Sequence, residues 1–381
     1  ITLYPDSYQI NIELDLTDIK NEVFRDAWFG WHGGLPTTEK SQDEDLSYFK
    51  AHLYQGGELE ELKVDKGGQN QKTYNGSVDW VAVRSKYFTA ALISAEPANV
   101  RSGKLWGDYV DQETYNASLS FDVTDVASFM LYLGPLEYNR IKSLSVSLES
   151  IMDFGWMFIR PISKGVLVVL KWLNQYISNY GVVLIIFSFL VKALVYPLTK
   201  KSYQSTTAMQ SVQPELNSLR DKYKNNPQKL NQATMSLYKE KGINPLGGCL
   251  PMLLQMPLLF ALFIVFRTTI ELRAEPFIWW ISDLSSPDVL FYLPFKVPIY
   301  GSHVAGLPIV MVISMYVQQK MMTGGAQQPQ QKLMQYFMTG FFFLIFNSFP
   351  SGLNLYYTLF NILTIAQQKL LPPKGPLTTN K

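Results

Sequence analysis

Asn179-Tyr180-Gly181-Val182-Val183-Leu184-Ile185-Ile186-Phe187-Ser188-Phe189-Leu190-Val191-Lys192-Ala193-Leu194-Val195-Tyr196-Pro197-Leu198 decides how this chain is read. It is long enough to cross a bilayer, which takes roughly 17–25 apolar residues, and it carries one charge, Lys192. A cation set inside a span costs about 2.5–3.5 kcal/mol or more, so by default it marks function. Ser188, Lys192, Tyr196 and Thr199 follow helical spacing and form one polar stripe.

Four further stretches, at about 248–266, 303–321, 333–349 and 352–371, are as long and contain no Asp or Glu. Each carries polar residues at helical spacing. The last has Asn354, Tyr357, Thr358, Asn361, Thr364 and Gln368; the third of the five has Ser314, Gln318 and Gln319. Gln255 sits between Pro251 and Pro257, and Gln335 and Thr339 are four apart. Taken singly, such residues are interhelical hydrogen-bonding glue. Converging on one cation, they predict a hydrophilic groove. Without inward carboxylates a proton-relay transporter is poorly supported, and no G-x-S-x-G or paired-Asp arrangement supports an intramembrane hydrolase. A small-solute channel or transporter is the alternative, although no internal repeat is visible.

Orientation follows from loop charge. Residues 199–247 hold eight Lys+Arg against three acids, whereas 267–300 hold three against four. The positive-inside rule puts 199–247, 322–332 and the tail 372–381 in the cytoplasm, and residues 1–150 outside. Within 199–247, Met209, Val212, Leu216, Leu219 and Tyr223 follow a heptad seam. Asn225-Asn226-Pro227 turns the chain, and Leu230 and Leu237 continue the apolar face, which predicts a basic helical hairpin. Residues 151–178 hold a short apolar run between Lys164 and Lys171 beside Trp172, which fits an amphipathic helix in the membrane interface. Phe277-Ile278-Trp279-Trp280 fits an interfacial anchor on the external side.

The 381 residues divide sharply by charge. Residues 1–150 carry 13 Lys+Arg and 23 Asp+Glu, net −10; residues 151–381 carry 20 and 8, net +12. The first part has the charge density of a water-soluble domain. Alternating apolar residues at Tyr8–Leu16, and stretches at Val78–Val83, Tyr87–Ser94, Ala117–Val123 and Ala127–Leu133, predict an antiparallel β-sandwich. Gly56-Gly57 and Lys66–Asn70 are the turns between them. Ile1–Tyr4 reads as mid-strand, so a truncated N-terminus is expected. Asn116-Ala117-Ser118 is a formal glycosylation sequon of little weight. One cysteine, Cys249, and three scattered histidines exclude a disulfide scaffold and a metal site. No cofactor is expected.

Phe189–Lys200, Asn244-Pro245-Leu246-Gly247-Gly248-Cys249-Leu250-Pro251 with Gln255-Met256-Pro257, and Phe349-Pro350-Ser351-Gly352-Leu353 with Leu355-Tyr356-Tyr357 carry a resemblance. Together they resemble the YidC/Oxa/Alb family of membrane protein insertases, and residues 1–150 resemble the periplasmic domain of its bacterial members. The resemblance implies a non-enzymatic insertase of the bacterial inner membrane: five core helices in 179–371, an external sandwich domain, and one missing N-terminal helix. It implies a groove open to cytoplasm and lipid, in which Lys192 stands where bacterial members usually carry Arg; charge is kept but the planar fork is not. The implied partners are nascent membrane proteins, the lipid bilayer, the Sec translocon, and ribosome or signal-recognition machinery at the 199–247 hairpin, with no direct nucleic-acid contact.

Overall fold

The computed structural model describes residues 1–18, 26–109, 112–123, 125–243, 250–323 and 329–370, with backbone only at 198, 201–203, 206–207, 250–254, 322–323, 329–332 and 335. The chain forms two compact units, residues 1–153 with 268–270, and 154–267 with 271–381.

Unit 1 is built from β1 (Thr2–Leu3), β2 (Gln9–Asp15), β3 (Asp26–Trp31), α1 (Gln42–Leu46), β4 (Lys50–Gln55), β5 (Glu58–Leu62), β6 (Gln69–Asn75), β7 (Trp80–Arg84), β8 (Phe88–Ser94), β9 (Val100–Tyr109), β10 (Glu113–Asp122), β11 (Val126–Pro135) and α2 (Tyr138–Lys142). Two antiparallel sheets result, ordered β1-β2-β11-β8-β7-β4-β5 and β3-β10-β9-β6. This is the predicted all-β sandwich. Alternation along β10 shows how it is filled: Tyr115, Ala117, Leu119 and Phe121 enter a core shared with Leu53, Val81 and Leu92. The intervening Asn116, Ser118 and Ser120 are buried too. Asn116 Oδ1 accepts from Gly33 N at 2.8 Å, so the formal sequon lies inside a central strand and is closed to a glycan.

Strands β3, β4, β5, β6 and β9 escaped the sequence reading. β6 is an edge strand, almost wholly exposed and polar, with no apolar period; its first residues, Gln69 and Asn70, extend into the turn expected at Lys66–Asn70 and pair with β9. The Gly56-Gly57 turn is confirmed: φ of +59° and +87° make the two-residue hairpin that pairs Gln55 with Glu58.

Unit 2 contains α3 (Arg160–Asn174), α4 (Tyr180–Ser211), α5 (Gln213–Lys222), α6 (Pro227–Glu240), α7 (Leu250–Thr268), β12 (Val289–Val297), β13 (Gly301–Ala305), α8 (Gly306–Thr323), α9 (Pro329–Phe346) and α10 (Ser351–Leu370). It is the predicted helical unit. Among the described residues, Tyr180–Pro197 is long and apolar enough to cross a membrane, and Gln255–Thr268 and Tyr336–Phe346 are shorter apolar stretches. Val183, Leu184, Phe187 and Val191 of α4 pack with Val265 and Phe266 of α7 and Leu353, Tyr356 and Phe360 of α10. On α3, Val166, Leu170 and Leu173 join that core, while Val168 and Trp172 stay exposed. Lys171 pairs with Glu271 at 3.0 Å.

Contrary to the expected end near Leu198, α4 continues through Pro197 to Ser211. Pro197 removes one backbone donor without ending the helix. The heptad seam is consequently split: Met209 belongs to α4, and the chain breaks at Val212 before α5. Val212, Leu216 and Leu237 form a small buried cluster joining α5 and α6, with Lys241–Glu215 at 2.8 Å on its surface. Asn226 caps α6 by accepting from Lys229 N at 3.1 Å. The 244–249 motif with Cys249, and the tail 372–381, lie outside the described residues.

Candidate functional site

Helix α10 organises the site. Asn354, Thr358, Asn361 and Thr364 recur every three or four residues and are all buried. Thr358 Oγ1 donates to Asn354 O at 2.8 Å and Thr364 Oγ1 to Phe360 O at 2.7 Å, which satisfies each hydroxyl within its own helix. The oxygens remain able to accept. Lys192, facing α10 from α4, donates Nζ to Thr364 Oγ1 at 2.7 Å, and the same ammonium lies 4.6 Å from the Phe360 ring centroid.

Lys192 is only 8% exposed, so in this conformation α10 covers it rather than leaving it in an open groove. Among the described residues no carboxylate pairs with it. One neutral hydroxyl and one ring face answer a full positive charge, and an ammonium has three donors.

The other residues singled out in the sequence divide between this cluster and separate contacts. Asn361 Nδ2 donates to Ser314 Oγ at 3.1 Å, which ties α10 to α8 beside Lys192's helix. Ser188, one turn before Lys192, is buried and donates to Leu184 O at 2.7 Å; Tyr196, one turn after, is half-buried. Gln319 Oε1 accepts from Thr339 Oγ1 of α9 at 3.3 Å, and Gln318 is half-buried. Gln255 of α7 faces Tyr356 and Tyr357, whose buried hydroxyls make no well-formed hydrogen bond. Asn354 is not beside Lys192: its Nδ2 donates to Phe346 O at 3.1 Å, closing the end of α9. Thr364 belongs to the polar stripe legible in the sequence, whereas Phe360 carries no sequence signal because a ring on an apolar helix reads as core.

At the opposite end of α8–α10 a second polar network closes the bundle. Asp288 Oδ2 accepts from Leu307 N (2.7 Å) and Trp280 Nε1 (2.9 Å), capping α8. Burial pushes the Asp288 carboxyl above the ordinary aspartate value. Asn347 donates to Tyr300 O and His303 O and accepts from Ala305 N, binding the β12–β13 hairpin to the end of α9. Ser351 Oγ donates to Asp283 O, and Gly352 N to Leu284 O, holding the start of α10. Gly352 is required there: a Cβ would stand 2.7 Å from the Phe266 ring and 3.1 Å from Leu284 O.

Residues 172–375 match the family described as 60Kd inner membrane protein, and residues 1–165 match the YidC periplasmic domain. The chain belongs to this family. The motifs around Lys192, Pro251 and Gly352 had pointed to it. Members of the family similar to this chain include the protein named membrane protein insertase YidC of Chlorobium luteolum, 42% identical over 96% of this chain and 64% of that protein. The same name is carried by a relative in Pelodictyon phaeoclathratiforme, 43% identical over 95% of this chain and 64% of that protein. The chain thus spans about two-thirds of the length of these relatives, just under it at 64%. A crystal structure of an active YidC insertase overlays with a TM-score of 0.45 at 17% identity, covering 83% of this chain and 82% of that one.

Proposed function

We propose that the chain is a bacterial inner-membrane protein insertase, working without making or breaking bonds. The observation that carries this reading is Lys192, a buried cation answered, among the described residues, by one hydroxyl and no carboxylate. A charge so placed is short of an anion, and an acidic residue in the short external tail of an incoming membrane protein would supply it. At an effective dielectric of about 20, one such pair at 4 Å is worth about 4 kcal/mol. That offsets part of the cost of moving a polar segment into a low-dielectric region.

On this reading α4, α7, α8, α9 and α10 are five membrane spans. Unit 1 is periplasmic, α3 lies in the membrane interface, and α5–α6 form a cytoplasmic hairpin. Lys192 stands twelve residues, about 18 Å, into α4 from its external end. The capping network of Asp283, Asp288 and Asn347 supports closure toward the periplasm, because Asp288 accepts from the first turn of α8, Asn347 donates to the β12–β13 hairpin, and Asp283 accepts from Ser285 N in the loop before it. Entry is then from the cytoplasmic side, where α10 must leave Lys192 for a tail to reach it. Ser188, Tyr196, Gln255, Gln318, Gln319, Tyr357, Thr358 and Asn361 line or support that path, while Asn354 holds the far end of α9. The substrate helix leaves between α7 and α9 into lipid. The α5–α6 hairpin receives nascent chains from ribosome or signal-recognition machinery, and the Sec translocon is a working partner.

The test is insertion of a short-tailed single-span protein into liposomes holding this chain alone. Protease-protected tail in proportion to reconstituted chain is expected. No protection beyond empty liposomes overturns the reading.

A further inference from the structure

The β12–β13 hairpin presents large apolar side chains on both faces: Leu290 (47% exposed), Phe291 (55%), Tyr292 (74%), Phe295 (64%) and Ile299 (68%). Lys296 is the single charge in residues 289–299. An exposed apolar patch of this kind is unfavourable in water unless something covers it. We propose that this hairpin lies in the headgroup region of the external leaflet, with its rings and aliphatic side chains in the acyl boundary and Lys296 at lipid phosphate. The proposal rests on the reading of α8 as a membrane span.

Three observations choose lipid as the covering partner. The hairpin joins α8 without a linker: Ala305 leads directly into Gly306, and beyond the buried first turn Val310 and Ile313 of the helix are exposed as well, at 44% and 59%. A span whose outer face meets lipid brings the adjoining hairpin to the same boundary. The backbone then sets the depth. Among the described residues β12 and β13 pair only with each other; Asn347 satisfies Ala305 N and His303 O on the outer edge of β13, and the outer edge of β12 has no strand partner. Such edges are excluded from hydrocarbon but are satisfied among headgroups and their water. The turn supplies the third observation. Ile299 holds φ of +71°, a left-handed conformation that costs a β-branched residue about 1–2 kcal/mol and that Asn or Gly would adopt freely. An isoleucine kept at such a position, and 68% exposed, is accounted for where apolar contact offsets the strain. Asn347 fixes the hairpin against the end of α9, so its height relative to the bundle is set by hydrogen bonds.

The experiment uses the full chain with Cys249→Ser and single cysteines at Tyr292 or Phe295, nitroxide-labelled and reconstituted in phosphatidylethanolamine/phosphatidylglycerol vesicles. Accessibility to oxygen and to a water-soluble nickel chelate is read by electron paramagnetic resonance. Two reference labels accompany them: Gln71→Cys on the exposed strand β6, and Leu194→Cys, an exposed position on α4. The oxygen-to-nickel ratio at 292 and 295 is expected to exceed that at 71 several-fold and to fall below that at 194. A ratio at 292 and 295 equal to that at 71, with 194 in lipid, overturns the hairpin proposal alone. A water-exposed label at 194 overturns the membrane reading of the helices and the proposal with it. Spin–spin broadening at 292 that vanishes on dilution with unlabelled chain means a second copy covers the hairpin, which also overturns it.

Discussion

Lys192 Nζ and Thr364 Oγ1, 172 residues apart, meet at 2.7 Å and join α4 to α10. On the proposed reading, a substrate carboxylate joins or replaces Thr364 at this ammonium. If attraction is the role of Lys192, Lys192→Arg stays active, whereas Lys192→Ala and Lys192→Glu fail for acidic tails. Neutral tails and very hydrophobic helices lose little. A substrate series differing only in tail charge, scored for insertion with Lys192→Ala, checks this. Equal loss for acidic and neutral tails would show that Lys192 supports structure alone.

Thr364→Val removes the acceptor while nearly keeping shape. It leaves a buried ammonium short of its partner, a loss of about 1–3 kcal/mol. Thermal unfolding in detergent should show Thr364→Val less stable than the parent and Thr364→Ser close to it. Identical melting of all three would show that the hydroxyl is replaceable.

Gly352→Ala places a methyl against Phe266, a residue with no exposed surface, and against the carbonyl of Leu284. Overpacking of this sort costs about 1–3 kcal/mol. The melting temperature of the chain should fall, and Phe266→Leu in the same chain should recover part of it. An unchanged melt for Gly352→Ala would refute the close approach.

His52 on β4 is 3% exposed, and burial, with the nearby Arg84 and Lys50 charges, pushes its pKa down from 6.5 to about 3. The folded state therefore refuses a proton that the unfolded state accepts between those values. Its contribution to stability is complete above pH 6.5 and is lost as pH falls toward 3. At pH 5 the loss is about 2 kcal/mol. Unfolding of unit 1, followed between pH 7 and 5, should be less pH-dependent in His52→Leu. Parallel pH profiles for parent and variant would exclude His52 as the cause.

The charge asymmetry predicts sidedness. Protease added to sealed spheroplasts should trim unit 1 and spare Lys222–Lys229 between α5 and α6. Cleavage there from outside reverses the orientation.

Much of the architecture was legible because burial on one face forces periodicity. β2 shows its alternation plainly, and the long apolar stretch of α4 is visible to the eye. β6 was not legible, since an edge strand with polar side chains on both faces has no period to read. The extent of α4 was hidden by Pro197, whose usual effect is to end a helix. At the site, Lys192 was evident from its cost in an apolar run, whereas its partners depend on which faces of α4 and α10 meet. Asn354 shares a stripe with Thr364 but serves the end of α9, because ten residues along a helix carry it about 15 Å away. The caps at Asp288 and Asn347 depend on contacts made far along the chain and have no local pattern.

The uninterrupted run of α4 from Tyr180 to Ser211 makes it a lever. At 1.5 Å per residue, Ser211 is about 28 Å beyond Lys192 along the same helix. A tilt of about 10° pivoting near Lys192 swings that far end through about 5 Å, by the same helix rise. If α4 stays stiff past Pro197, load on the α5–α6 pair, which follows α4 directly through Val212, reaches the Lys192–Thr364 contact as torque. On the proposed reading, engagement at one end and release of the lysine at the other would be one mechanical event.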